Sequence, residues 1–96
     1  MAAYLHAHLE VTDQVGYEDY RRQVPALIAA HGGRYLVRGG AVKLLEGEGT
    51  PPTRQVILEF PDMAALQAFY RSPEYQPLIA LRQRCSHGQI VAIEGV

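Results

Sequence analysis

The order in which two hydrophobic periods follow one another is the feature that most constrains the fold of this chain. Residues 4–11 alternate between polar and apolar side chains, as in a strand with one buried face. After Thr12 or Asp13, either of which can cap a helix, the pattern changes to helical spacing and ends at Gly32-Gly33. The apolar positions of this predicted helix are Tyr17, Tyr20, Val24, Leu27, Ile28 and His31.

The two strand periods that come next predict a hairpin. A second strand is expected from Arg34 to about Glu46, with a bulge or sharp twist at Gly39-Gly40. Residues 47–52 form a loop rich in glycine and proline. The run from Gln55 to Phe60 is apolar on both faces, so we expect a central strand that returns antiparallel to the second. Arg54, at the start of this strand, is expected to be solvated.

The last third of the chain repeats the change from helix to strand. Asp62 is expected to cap a second helix, which Ser72-Pro73 stops and restarts. Its apolar stripe continues through Tyr75, Leu78, Leu81 and Cys85. His87-Gly88 is expected to turn the chain into a last strand, Gln89–Ile93.

The resulting order, βαββαβ, predicts a single ferredoxin-like α+β domain over residues 1–96. In this fold two helices cover one face of a four-stranded antiparallel sheet, and the other face stays uncovered. That face would carry His6 and His8 from the first strand and Ile57 from the third, a mixture of polar and apolar groups. With 96 residues, 48% of them hydrophobic, we expect this face to pack against a second copy. The prediction is a homodimer with His6, His8 and Ile57 in its interface.

Several segments of the sequence resemble one known family. The run His31–Gly40, followed by Leu45–Gly47, Leu58–Pro61 and Ser72–Gln76, is similar in order and spacing to the bacterial domain-of-unknown-function family thirteen-thirty. The resemblance covers nearly the whole chain. It implies the dimeric α/β-barrel superfamily, whose protomer is ferredoxin-like and whose members include cofactor-free monooxygenases. It also implies a cleft between the helices and the sheet for a small organic molecule, although the family has no established reaction.

Candidate ligand-binding residues are Arg38, Glu59, Tyr20, His31 and Tyr70. The guanidinium of Arg38, beside the irregular Gly39-Gly40 backbone, can bind a carboxylate through two hydrogen bonds, and Glu59 can hold it in place. The alternative is an internal Arg38 to Glu59 pair that only stabilises the sheet or fixes the dimer. Tyr20, His31 and Tyr70 can orient a ligand or transfer protons, or they can be ordinary core residues.

The sequence gives little support for a metal, a cofactor or a nucleophile. His6 and His8 project from one strand face roughly 7 Å apart, and Glu59 could complete a metal site. We favour the simpler interpretation of interface histidines without metal. Cys85 is expected to be a buried, inert thiol rather than a partner of His87. No dinucleotide or phosphate-binding glycine motif is present, so no cofactor is expected.

Charge and cysteine content indicate partners and location. Nine basic and ten acidic residues, with no run of like charge, give nucleic acid or a membrane surface nothing to attract it. One cysteine excludes an intrachain disulfide, and Met1-Ala2-Ala3 leads into the first strand without a signal sequence, so a cytoplasmic location is expected. The function predicted is binding of a small organic acid or aromatic compound by a homodimer. A cofactor-independent monooxygenase, isomerase or lyase is the alternative, and a purely structural dimer is the second.

Overall fold

The computed structural model describes residues 1–96 as one α+β unit with a four-stranded antiparallel sheet. The elements are β1 (Ala3–Val11), α1 (Gln14–Ala30), β2 (Arg34–Arg38), β3 (Arg54–Phe60), α2 (Met63–Arg71), α3 (Gln76–Cys85) and β4 (Ser86–Glu94). The strand order β2-β3-β1-β4 is that of the predicted ferredoxin-like fold, which is confirmed. No helix is long and apolar enough to cross a membrane.

The core lies between the helices and one face of the sheet. Alternate residues of β1 are buried there, from Ala3 to Leu9, because strand side chains point to opposite faces in turn. Phe60 and Phe69 are the largest side chains that are fully buried. The other face of the sheet, which we call the open face, carries the alternate residues of each strand, such as His6 and His8 in β1. No helix lies over it.

Side-chain caps begin the first two helices as the sequence predicts. Of the two candidates for α1 it is Asp13 that accepts from the Gly16 amide, and Asp62 accepts from the Ala65 amide at the start of α2. Gly32 adopts a positive φ of 77° after α1, a conformation that a residue without Cβ reaches at little cost.

The second helical region is divided further along than the sequence suggests. Ser72 ends α2, and its hydroxyl donates to the carbonyl of Phe69. The helix restarts at Gln76, where Pro77 rather than Pro73 takes the first turn. Three helices therefore cover the sheet where two were expected, and the break between α2 and α3 separates Tyr70 from Tyr75.

Two strand boundaries differ from the predictions. The second strand ends at Arg38 instead of Glu46, because β2 is an edge strand and β3, its only neighbour, begins at Arg54. The irregularity in the ladder falls between Tyr35 and Val37, before the glycine pair. At the other end of the sheet, Gly88 lies within β4 opposite Leu9 and forms no turn. A Cβ there would collide with the carbonyl oxygen of His8, so the close strand approach requires glycine.

Candidate functional site

Three adjoining cavities lie between the helices and the sheet. The inner cavity, about 30 Å³, is enclosed by α1, α3 and the sheet. The α2–β4 cavity, about 260 Å³, and the α3–β4 cavity, about 210 Å³, are partly open clefts beside the edge strand β4. Ile90 lines all three. The inner cavity has room for about one or two water molecules, so of these three cavities only the two outer clefts can hold an organic ligand.

Tyrosine side chains connect the inner cavity to the clefts. The hydroxyl oxygens of Tyr20, on α1, and Tyr75, just before α3, are 2.8 Å apart and buried. The ring of Tyr17 lies 5.5 Å from that of Tyr20, and the ring of Tyr70 stands edge-on to Tyr75 at 5.7 Å between centroids. Tyr70 lines both outer clefts. These four residues, which we call the tyrosine cluster, therefore place polar groups beside all three cavities.

A buried arginine lies beside the tyrosine cluster. Arg82, on α3, is only 6% exposed and lines both the inner cavity and the α3–β4 cavity. Its Nε and Nη2 atoms have no hydrogen-bond acceptor. Buried polar groups in folded proteins are nearly always paired, so the partner of this guanidinium is either water in the inner cavity or a ligand.

The electrostatics of the cluster favour neutral phenols beside a charged guanidinium. Burial, together with the neighbouring hydroxyls, raises the pKa of Tyr20 well above its usual range, and burial also raises the pKa of Tyr75. Burial alone would lower the pKa of Arg82, but the hydroxyls of Tyr75 and Tyr20 outweigh it, and the pKa lies above its ordinary value. No Asp or Glu lines any of the three cavities. The region is positively charged and rich in hydrogen-bond donors.

Arg54 also belongs to the wall of the inner cavity. Its Nε donates to the hydroxyl of Tyr17 at 3.3 Å, and its guanidinium lies 5.5 Å from the centre of the Tyr17 ring. The expectation that Arg54 is solvated is therefore wrong. The short β2 strand leaves the side chain room to fold back over the backbone of Gly39, where a Cβ would collide with it.

The structure separates the predicted ligand-binding residues. Tyr20 and Tyr70 lie on cavity walls, whereas Arg38, Glu59 and His31 do not. His31 follows α1, with its Nδ1 3.0 Å from the carbonyl oxygen of Leu27 and its ring edge-on to Phe69.

The expected pair between Arg38 and Glu59 does not form. Arg38 is opposite Val56 and its guanidinium stacks on Tyr35 at 4.3 Å, on the helix side of the sheet. Glu59 is on the open face and accepts from Nε of Arg34 at 2.7 Å. Arg38 shares the face of its register partner Val56. Glu59 is three positions from Val56 in β3, so its side chain points to the opposite face.

The predicted interface residues all lie on the open face. His6 and His8 have ring centroids 4.9 Å apart, and Nε2 of His6 is 2.8 Å from Oε1 of Gln55. Ile57 is the register partner of His6. No group of three or more His, Cys, Asp or Glu side chains, with or without Glu59, is arranged to hold a metal ion.

Sequence reasoning missed Arg82, although the chain carries a signal for it. The buried positions at and after the start of α3 are Tyr75, Leu78, Arg82 and Cys85, at intervals of three and four residues. A charged residue within such a stripe is unusual, because burial of an unpaired charge is costly. The prediction placed Leu81 in the stripe, where the structure has Arg82.

Known proteins share this architecture. A protein of unknown function from Rhodopseudomonas palustris superposes with a TM-score of 0.81 at 17% identity, over 99% of this chain and 82% of that one. SnoaB, a cofactor-independent oxygenase from Streptomyces nogalater, gives 0.63 at 12% identity over 99% and 92%. A dimeric ferredoxin-like protein of unknown function from Jannaschia gives 0.61 at 18% identity over 100% and 99%. These identities establish a common fold only.

No functionally curated protein matches the chain in sequence. The model of one family, described as a domain of unknown function, DUF1330, matches residues 2–96, which is nearly the entire chain. Together with the ferredoxin-like architecture, this match agrees with the resemblance seen in the sequence. The chain belongs to the DUF1330 family.

Proposed function

We propose that this protein is a homodimer that binds a small organic acid or aromatic compound in the clefts between the helices and β4. The observation that carries this proposal is the buried cluster of Tyr20, Tyr75 and Arg82 beside two partly open clefts, of which the α2–β4 cavity has mainly apolar walls and the α3–β4 cavity mainly polar ones. Apolar walls with a few converging polar groups are typical of sites for small organic molecules. A dry structural core would not leave donors unpaired at such a place.

The proposed dimer covers the open face with a second copy of the chain. Val37 is 37% exposed, Val91 39% and Ile93 50%, and the register places them on the open face with the half-buried Ile57. A contiguous apolar area of this kind is typical of an interface. The dimeric ferredoxin-like protein from Jannaschia shows that a chain of this architecture associates in pairs. Light scattering of the unmodified protein should give the mass of two chains, and a stable, folded monomer would refute the dimer.

Ligand binding is best tested by filling a cleft. Ala92 lines the α2–β4 cavity from β4, so Ala92→Trp should occupy it and abolish binding there. Glu94→Trp is the matched control, because Glu94 is two residues further along the same strand, exposed, and lines none of the three cavities. Calorimetry with a set of small aromatic and aliphatic acids and their amides would find the ligand class. If none of these compounds binds to the unmodified protein, the proposal fails.

A cofactor-independent enzyme acting on such a compound is the second candidate. The structural similarity to SnoaB favours it, since that protein is a cofactor-independent oxygenase. Tyr70 lines both outer clefts, and its phenol is the group that could donate a hydrogen bond or a proton to a ligand oxygen there. Oxygen consumption or product formation with a compound that binds would distinguish the enzyme from the binding protein. If neither binding nor turnover is found, the purely structural dimer remains.

We also propose a cytoplasmic location. The one cysteine, Cys85, is free and buried, with its sulfur close to Gly16 of α1, which suits a reducing compartment but does not require one. Fractionation of the native host's cells would test this, and recovery of the protein outside the cytoplasm would contradict it.

A further inference from the structure

We propose that the ligand carries a carboxylate, whose two oxygens are bound side by side by Nε and Nη2 of Arg82. This inference rests on the proposed function, because it names the chemical class of the compound held between α3 and β4. It assigns Arg82 as the residue that selects the ligand.

The two unpartnered nitrogens of Arg82 occupy one edge of the guanidinium plane. Nε–H and one N–H of Nη2 point in the same direction, at a spacing that matches the two oxygens of a carboxylate. Both nitrogens lack an acceptor, while the main-chain carbonyl of Arg82 accepts from Ser86 Oγ at 2.7 Å. An alcohol, ketone or phenol offers one oxygen and would leave one of the two N–H groups unpaired. Both nitrogens are buried, so a ligand in the α3–β4 cavity reaches them when the Arg82 side chain turns outward, and the edge then favours a two-oxygen acceptor.

Charge around the cavities favours an anion as well. Arg21, Arg54 and Arg82 line the inner cavity, and only Arg21 has an acidic partner, Glu18 at 3.3 Å. The Tyr20 and Tyr75 hydroxyls bond to each other, which uses one of their two protons and leaves the other free to donate. The chain as a whole is nearly balanced, with nine basic and ten acidic residues, so the excess of positive charge is local.

The walls of the α3–β4 cavity are mixed, so a phosphate is the alternative anion that the experiment must separate from a carboxylate. Phosphate esters also present two oxygens to arginine, but they carry further oxygens that need donors of their own. Leu9 and Ile90 line the α3–β4 cavity and offer none, but Tyr70, Gln83, Ser86 and His87 line it as well and carry polar groups. A carboxylate satisfies the Arg82 edge with its two oxygens and needs no further donors, which makes it the simpler of the two anions for this site.

The experiment compares acids with their amides, which have nearly the same shape and no charge. Calorimetry would use benzoate, phenylacetate and hexanoate, each with its neutral amide, and phenyl phosphate as the alternative anion. For the unmodified protein we expect at least one acid to bind, and to bind about tenfold to a hundredfold more tightly than its amide. This comparison requires no variant and cannot be confused with misfolding.

Variants then locate the preference at Arg82. Arg82→Gln should remove the difference between acid and amide, while Arg82→Lys, which keeps the charge but not the fork, should retain part of it. Arg84→Gln is the matched control, since Arg84 is exposed on the same helix and lines none of the three cavities. It should bind the acid as the unmodified protein does. A thermal unfolding curve for each variant would confirm that it is folded.

The possible results separate the inference from the proposed function. If amides bind as tightly as acids, or if Arg82→Gln keeps the preference, the clefts bind small molecules but the carboxylate inference is wrong. Tighter binding of phenyl phosphate than of benzoate would likewise overturn it. If neither acids nor amides bind, the proposed function fails first, and the inference fails with it.

Discussion

Replacing Arg82 with methionine should make the unliganded protein more stable. Most substitutions of a buried residue destabilise a protein, because they leave a cavity or break a contact. Arg82 is different because its burial is not accompanied by an acceptor for Nε or Nη2. Methionine keeps the aliphatic stem and part of the volume, and it removes the two unpaired donors together with the charge.

The size of the effect follows from these two donors. A buried donor without a partner costs about 1–3 kcal/mol, so the two together cost about 2–6 kcal/mol. Against this, the substitution loses the contacts of the guanidinium with the Tyr20 and Tyr75 hydroxyls, which still bond to each other. We expect a net gain of about 1–4 kcal/mol in the free energy of unfolding, similar to the range seen when buried ion pairs are replaced by apolar side chains of similar volume.

Thermal and denaturant unfolding at one fixed protein concentration would measure this gain. For a domain of this size each kcal/mol raises the midpoint by about 4–8 °C, so an increase of at least about 4 °C is expected. Arg84→Met on the exposed side of α3 is the control and should change stability by less than about 0.5 kcal/mol. A loss of stability in Arg82→Met, with Arg84→Met unchanged, would show that Arg82 supports the fold, and the reasoning from unpaired donors would be refuted.

Three further predictions concern the interface, the tyrosines and the histidines. Ile57→Asp should dissociate the proposed dimer, because it buries an unpaired charge. The control Val15→Asp, at an exposed position of α1, should leave the dimer intact. A dimeric Ile57→Asp variant in light scattering would contradict the prediction. The pKa of Tyr20 is raised in the folded state, so the folded protein holds this proton more tightly than the unfolded chain does. The resulting contribution to stability is present below pH 10.0 and is lost as the pH rises above that value. Tyr20→Phe should reduce this alkaline loss of stability in denaturant unfolding, and an unchanged loss would contradict the prediction. Elemental analysis of protein purified without an affinity tag should find substoichiometric metal, and a full equivalent of iron or zinc that is lost in variants of His6 or His8 would overturn the assignment of these histidines to the interface.

The candidate site was predictable only in part, for a geometric reason. The helical period placed Tyr20 on the inner face of α1, and the structure confirms that position. Arg38 was chosen because two glycines follow it, but local irregularity does not say which face of the sheet a neighbouring side chain reaches. The ladder register decides this, and it puts Arg38 opposite Val56, away from Glu59. Register depends on contacts between segments far apart in the chain.

The sequence by itself determined the order of strands and helices, the Asp62 cap and the two faces of β1, because each depends on periods and residues within a few positions of one another. The tertiary structure decided where β2 ends, since that depends on the extent of β3, and it decided the phase of α3, since the break before Gln76 sets which residues point inward. That phase turns Arg82 toward Tyr20 of α1, 62 positions earlier in the chain. The pairing of donors with acceptors is a property of the packed molecule, so the unpaired edge of Arg82 exists only once the helices and the sheet have come together.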